Sequence, residues 1–188
     1  MNLDYNALSD GELATLSVAG RDVAFAELVR RHRSAVYRLI IGNVAEADEA
    51  LDLVQETFVS AHRAMNRFDG ARPMRAWLAA IALNKCRDWA RRRAVRRFIF
   101  FARPIDEVAE VLADDRPGHD VQAADRQELE RLRRAITDLP ASLREPLVLH
   151  TVEGMSQAET AAVLSITEKA VETRLRRARI KLHEMLAC

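Results

Sequence analysis

Aromatic side chains are scarce in this chain, 5% of 188 residues, and so are the residues that punctuate turns, with six Gly and five Pro. No stretch alternates β-branched with polar residues for long enough to build a sheet, so sandwiches and barrels are excluded. Two cysteines, Cys86 and Cys188, cannot form a disulfide framework and are expected as free thiols in a reducing cytosol. No apolar run approaches the length of a membrane span. The N-terminus carries acidic Asp4 and lacks a cationic segment before an apolar one, which argues against a signal peptide. A soluble cytoplasmic protein is expected. The five histidines, His32, His62, His119, His150 and His183, are scattered, and none forms a spaced constellation with Cys, Asp or Glu. No nucleophile or metal chemistry is therefore expected, no cofactor, and no enzyme.

What the chain does have is Ala, Leu, Arg and Glu in abundance, the composition of an all-α protein. The formal net charge is only +1, but charge is distributed in blocks. Lys85 to Arg103 is strongly basic, Asp106 to Asp120 strongly acidic, and the last helix basic again. Two basic patches separated by an acidic segment can each hold nucleic acid while the whole stays near neutral.

Helical periodicity divides the first half. Ser9 and Glu12 form a capping box, with Leu8 and Leu13 at the hydrophobic-staple positions. A helix from about Asp22 presents Phe25, Leu28, Val29, Val36, Leu39 and Ile40 on one face, with His32 as a packed or rim residue. The next, about Ala45 to Arg67, shows a stripe of Ala47, Leu51, Val54, Phe58, Ala61 and Met65. Its other face carries Asp52, Gln55, Glu56, Val59 and Arg63; solvation explains the charges but not Val59, which suggests a partner surface. Gly70 and Pro73 mark a loop that holds Arg67 and Phe68. Phe68 either stacks on an exposed base or folds back on the core. A fourth helix, Pro73 to about Arg97, packs through Trp77, Leu78, Ile81, Ala82, Cys86 and Trp89. It leads Asn84, Arg87, Asp88 and Arg91 into an Arg-rich end suited to phosphates.

From Phe98 to about Asp125 periodicity weakens, and this stretch reads as a flexible linker with a Phe cluster and an acidic run. Helices are expected again over Arg126 to Asp138 and Pro140 to Glu153. Ser156 with Glu159 is a second capping box, Thr167 offers a further N-cap, and Val171, Leu175, Ala178, Leu182 and Met185 form one stripe. The opposite face holds Lys169, Glu172, Thr173 and Arg176, flanked by Arg174, Arg177, Arg179 and Lys181. A short helix, a tight turn and a basic second helix form a helix-turn-helix, or else a plain hairpin with a solvated face.

These motifs, in this order, resemble the extracytoplasmic-function branch of the sigma-70 family of bacterial transcription initiation factors. Asp52-Leu-Val-Gln-Glu-Thr-Phe58 looks like region 2.2 of that family. Arg67-Phe-Asp-Gly70, Arg75-Ala-Trp-Leu78 and Ile81-Ala-Leu-Asn84 resemble regions 2.3 and 2.4. Leu139-Pro140, Arg144-Glu145, Glu153-Gly154-Met-Ser156 and Glu159 resemble region 4.1, and Val171 to Arg179 resembles region 4.2. The resemblance implies two small helical domains, residues 1–97 and 126–188, joined by a linker over 98–125. It implies core RNA polymerase and promoter DNA as partners, an anti-sigma factor as a regulator, and no small-molecule substrate. Carried over by position, Asp52, Gln55, Glu56 and Val59 would contact the largest polymerase subunits. Arg67, Phe68, Arg75, Asn84, Arg87, Arg91, Arg92 and Arg93 would hold the opened minus-ten element. Lys169, Glu172, Thr173, Arg174, Arg176 and Arg177 would read the minus-thirty-five element.

Three departures stand out against that pattern, one of them the acidic Glu172 on the expected reading face, which would repel phosphates but could accept a bond from cytosine N4. Ser165 stands where the family usually has Gly, at a cost of ~1–2 kcal/mol if φ is positive there, and Thr160 replaces a branched apolar residue. Two other readings remain open from sequence: a sigma-like decoy that sequesters an anti-sigma factor, and a helix-turn-helix regulator of the response-regulator type.

Overall fold

The computed structural model describes residues 3–101 and 122–187, and every regular element among them is helical. Helix α1 is Asp10–Val18 and α2 is Asp22–Val44. The expected capping box is present: Glu12 N–H donates to Ser9 Oγ at 3.3 Å, and Ser9 N–H donates to Glu12 Oε2 at 2.7 Å. Arg31 on α2 ties down the N-terminal turn, donating to the carbonyls of Leu8 (2.8 Å), Tyr5 (3.1 Å) and Asn6 (3.0 Å). His32 sits at the rim as expected, 2.7 Å from Asp10 Oδ2. The chain turns at Ala45, held at φ 69° and ψ −42° in the rare γ-turn geometry, into α3, Ala47–Ala64.

The buried face of α3 is Ala50, Leu53, Val54, Thr57, Phe58 and Ala61, continued by Met65 in the following 3-10 turn. The expected stripe held Ala47 and Leu51, and both are exposed. At about 100° per residue a face centred between Ala50 and Val54 turns Leu51 to its rim, and Ala47 lies in the first turn of the helix. Thr57 satisfies its hydroxyl on the Leu53 carbonyl at 2.7 Å, which lets a polar residue occupy a fully buried position.

Helix α4 is Met74–Phe101, four residues longer than the expected end at Arg97. Phe98-Ile-Phe-Phe101 contains no helix breaker, and the first proline after it is Pro104. The acidic run Asp106 to Asp120, His119 and Cys188 lie outside the described residues. α5, Gln122–Asp138, also begins before the expected Arg126. α6 is Ala141–Leu147; Pro146 removes one helical donor there, and the chain widens into a π-turn, Val148–Val152, ended by Gly154 at φ 64°. α7, Gln157–Leu164, and α8, Glu168–Ala187, complete the fold.

Two cores result. Leu13, Leu28, Leu39, Ile40, Leu53, Leu78 and Leu83 centre the first, between α1, α2, α3 and α4. Leu139, Leu147, Ala161, Val171, Leu175 and Ala178 form the second. The domains lie against one another. Val148, Leu149 and Met155 of the C-terminal half join the first core, at 0%, 0% and 2% exposure. Each such side chain contributes on the order of 1.5–3 kcal/mol relative to exposure. Gly42 in the last turn of α2 makes this approach possible: a Cβ there would lie 3.0 Å from Val148 Cγ1.

Candidate nucleic-acid and polymerase interface

The helix-turn-helix is assembled as its caps predict. Glu159 N–H donates to Ser156 Oγ at 3.1 Å, Ser156 N–H to Glu159 Oε2 at 2.8 Å, and Ala170 N–H to Thr167 Oγ1 at 3.1 Å. The hydrogen bonds from Ser156 hold the Glu159 carboxyl below the usual carboxylate range. Ser165 ends α7 at φ 55° and ψ 45°, the left-handed conformation anticipated for a position that favours Gly. Thr160 is wholly buried and its hydroxyl finds no partner among the described residues.

On α8 the predicted stripe faces inward: Val171, Leu175 and Ala178 are buried, and Leu182 and Met185 pack at the edge. The opposite face presents Lys169, Glu172, Thr173, Arg176 and Arg177 to solvent, with Arg174 half-buried. Lys169 pairs with Glu172 at 2.8 Å, and that bond lowers the Glu172 carboxyl below its ordinary value. Thr173 turns its hydroxyl onto the Lys169 carbonyl at 2.9 Å.

On α3, Asp52 and Gln55 are exposed and Val59 is 49% exposed. Val59 borders two shallow depressions. One, about 360 Å³, is lined by Asp22, Phe25, Phe58, Val59, His62 and Arg63. The other, about 330 Å³, is lined by Gln55, Glu56, Val59, Ser60, Arg63 and Lys85. Glu56 leans from the predicted set toward α4, 3.5 Å from Lys85 and 4.0 Å from Arg92. The surface thus offers apolar ground beside a polar face, as a partner helix requires.

The α4 residues predicted to hold an opened strand are mostly engaged already. Arg91 is bonded to Asp88, Arg93 is bonded to Glu46 and lies 5.0 Å over the Trp89 ring, and Trp89 donates to Glu49 at 2.8 Å. Arg87 donates to Glu145 Oε1 at 2.8 Å through Nε, to Oε2 at 2.6 Å through Nη2, and to Asn84 Oδ1 at 3.2 Å through Nη1. Glu145 raises the Arg87 guanidinium above the usual arginine value. Arg75, half-buried, acts on the Glu159 carboxylate of α7. Arg67 is exposed, while Phe68 folds back, its ring 5.2 Å from that of Trp77.

Sequence reasoning missed the groups that join the domains. Arg38 donates to Glu153 at 3.0 and 3.2 Å, and Arg144 to Asn43 Oδ1 at 3.3 Å. Burial lowers Arg144 below the ordinary guanidinium value, and its remaining bonds go to the carbonyls of Thr137 and Leu139. Arg144-Glu145 was already visible as a motif, and Gly42 in the last turn of α2 was the available signal for a close approach. Among the described residues no helix is long and apolar enough to cross a membrane, and no three His, Cys, Asp or Glu side chains come together as a metal site.

A two-domain helical protein with a basic helix-turn-helix and a second basic helix beside an apolar-bordered acidic face belongs to the class of multi-site DNA-binding factors. Comparison with known proteins narrows that class. The profile described as Sigma-70 region 2 matches residues 28–96 and that described as Sigma-70, region 4 matches residues 129–182. The RNA polymerase sigma factor CnrH of Cupriavidus metallidurans is 43% identical over 95% of this chain and 94% of its own. The ECF RNA polymerase sigma factor SigM of Mycobacterium tuberculosis is 32% identical over 95% of this chain and 85% of its own. The solved structure of CnrH in complex with the cytosolic domain of CnrY superimposes with a TM-score of 0.69 over 95% of this chain and 97% of that one, at 36% identity. The sigma factor RpoE of Bartonella quintana, in complex with the anti-sigma factor NepR, superimposes with a TM-score of 0.67 over 87% of this chain and 96% of that one, at 25% identity. The chain belongs to the extracytoplasmic-function branch of the sigma-70 family.

Proposed function

We propose that this chain binds core RNA polymerase through the Asp52, Gln55, Glu56 and Val59 face and directs initiation at a two-part promoter, without catalytic chemistry of its own. The observation that carries this reading is the division of labour between faces. The α8 face with Lys169, Glu172, Thr173, Arg174, Arg176 and Arg177 is solvent-facing at the far side of a well-packed stripe. The minus-ten set, with Arg67, Phe68, Arg75, Asn84, Arg87, Arg91, Arg92 and Arg93, lies on a different helix and its preceding loop, in the other domain. Two separate basic surfaces suit two separated DNA elements. Arg176, fully presented, would take a guanine edge, and Glu172 would accept from cytosine N4. The protein would act in the bacterial cytoplasm, where the polymerase works.

Control by an anti-sigma factor is part of the proposal, supported by the similarity to RpoE, whose solved structure holds an anti-sigma factor. The decisive experiment is run-off transcription with purified bacterial core polymerase, this protein and a genomic fragment library. Discrete transcripts that require the protein are expected. No transcripts together with no core binding would replace this reading with the decoy. Gln55→Ala with Glu56→Ala should weaken core binding by about 1–2 kcal/mol in a quantitative pull-down while circular dichroism stays unchanged. Unchanged core affinity would move the contact surface elsewhere.

A further inference from the structure

We propose that helix α1 positions the minus-ten loop, with Gly11 as the residue on which the loop is seated. Its backbone meets that of Gly70 directly and so fixes how Arg67 and Phe68 are presented to an opened strand. This rests on the sigma-factor reading of Arg67 and Phe68. A glycine weakens the helix it joins, since it surrenders the most backbone freedom on folding. Gly11 has an ordinary helical backbone that any residue could adopt, so its use has to come from packing. A Cβ on Gly11 would lie 3.2 Å from the Gly70 carbonyl oxygen and 3.6 Å from Gly70 Cα, and a Cβ on Gly70 would lie 3.7 Å from Gly11 Cα. The two backbones approach with no side chain between them.

Both sides of the contact are held in place. In the loop, Phe68 N–H donates to the Met65 carbonyl at 3.0 Å, Ala71 N–H to Asp69 Oδ1 at 3.0 Å and Arg72 N–H to the Asp69 carbonyl at 2.9 Å. These bonds fix the shape of the loop but not its place, because each partner lies within the same segment. Asp69 to Pro73 are exposed, so the contact with Gly11 sets this turn against the body of the domain. On the helix side, Leu13 and Ala14 anchor α1 in the core, and Thr15 Oγ1 donates to the Gly11 carbonyl at 3.0 Å. Asp10, next to Gly11, takes Arg31 at 3.1 Å and lies 2.7 Å from His32, both on α2. α1 carries Asp10 and Glu12 in its first turn and no Lys or Arg, so it would repel a phosphate backbone. It supports the DNA-binding loop and is not a further DNA contact. Holding an unstacked base needs contacts aligned to within about 0.5 Å, so a small shift of the seat is felt at the base.

The test uses holoenzyme assembled from bacterial core polymerase and the full chain. One probe is a labelled single strand across the minus-ten element of a promoter identified by run-off transcription, with each base of that element varied in turn. The other is the minus-thirty-five duplex of the same promoter. Gly11→Ala presses a Cβ against the Gly70 carbonyl and, because Ala is the better helix former, leaves α1 intact. It should weaken strand binding by about tenfold and flatten the discrimination among bases at the position the loop holds. Core affinity, duplex binding and the thermal midpoint should stay at wild-type values. Asp10→Asn disturbs the footing of α1 without adding an atom to the contact, and it should shift the same discrimination in the same direction. It keeps the proposal falsifiable if Gly11→Ala folds poorly. Wild-type discrimination in both folded variants would overturn the positioning role and leave the reading of Arg67 and Phe68 standing. A uniform fall in core, strand and duplex binding with a lower thermal midpoint would make α1 a stability element only, and would overturn the role as well. A wild-type holoenzyme that binds the strand with no preference at any base would remove the minus-ten assignment of Arg67 and Phe68, and the positioning with it.

Discussion

The two arginine-bearing helices, α4 and α8, carry similar side chains in opposite electrostatic states. On α4, Arg87, Arg91, Arg92 and Arg93 are met by carboxylates from three directions: Asp88 on the same helix, Glu46 and Glu56 at α3, and Glu145 from the other domain. On α8, the ion pairing among the described residues is confined to Lys169 with Glu172, at the helix N-terminus. A basic helix is therefore not by itself a ready nucleic-acid surface. Its availability depends on the acidic groups that the fold brings to it, and those come from residues remote in sequence. In this protein the outward face of α8 stands open, and Arg87, Arg91 and Arg93 of α4 are already paired.

Cys86 offers the largest measurable contrast. It lies on the inner side of α4, and burial pushes its thiol up to about 12, with the Arg144 charge from the C-terminal domain pulling it back and Glu145 raising it further. Against the ordinary value of 9.0, this reduces the thiolate by about a thousandfold at neutral pH. In the Cys188→Ser chain, alkylation of Cys86 should be slower than that of an exposed thiol by at least that factor, before steric protection is counted. Rapid labelling of folded protein at pH 7 would show that the C-terminal domain does not cover this side of α4. The same measurement argues against a redox role for Cys86, since a reactive thiol needs the opposite environment.

Arg176→Ala tests the open side of the comparison. If Arg176 takes a guanine edge, the variant should lose ~1–3 kcal/mol at a matched minus-thirty-five duplex and much less at a scrambled one. Equal losses on both would reduce Arg176 to a phosphate contact. Arg87→Ala should leave duplex binding by the isolated chain unchanged, because Arg87 lies on α4 and is bound to Glu145, apart from the α8 face.

How far the sequence could be read follows the same division. Local signals came through: both capping boxes, the Thr167 cap, the inward stripe of α8, and even the left-handed backbone at Ser165. Each depends on residues within one or two turns, where spacing alone decides. The α3 stripe was partly misread because Ala47 and Leu51 satisfy a heptad but fall off the face that α2 and α4 cover. The end of α4 was placed too early because a change in composition at Phe98 is not a change in helix propensity. The partners in the interdomain pairs were not legible. Arg87 meets Glu145 across 58 positions and Arg38 meets Glu153 across 115, and no periodicity connects such residues.

Thr160→Val probes packing within the C-terminal domain. The Thr160 hydroxyl is fully buried without a partner among the described residues, and an orphaned buried polar group costs about 1–3 kcal/mol. Replacing it with an isosteric apolar side chain should stabilise the C-terminal domain by about 1 kcal/mol, raising the thermal midpoint. No gain would mean that the hydroxyl is bonded in solution, for example to an ordered water.

The smallest expected effect concerns acid and the N-terminal domain. Glu27 receives Arg30 at 2.7 Å and Arg31 at 2.7 Å, and these bonds lower its carboxyl from 4.5 to about 2. A depressed carboxyl pKa contributes stability that is complete above the unfolded value and is lost as protons bind. The contribution should therefore fade from about pH 4.5 downward and vanish near pH 2. Its size is limited because the Arg30 side chain is 66% exposed and water competes for it. Arg31 is better placed, since the same guanidinium holds the carbonyls of Tyr5, Asn6 and Leu8 against α2. Glu27→Gln should accordingly flatten the fall of the urea midpoint between pH 5 and pH 3 and loosen the N-terminal turn, with little change at pH 7 in the C-terminal domain. If wild type and variant lose stability equally over that range, the acid response belongs to other carboxylates, and Glu145 and Glu153 at the domain seam would be the next to replace.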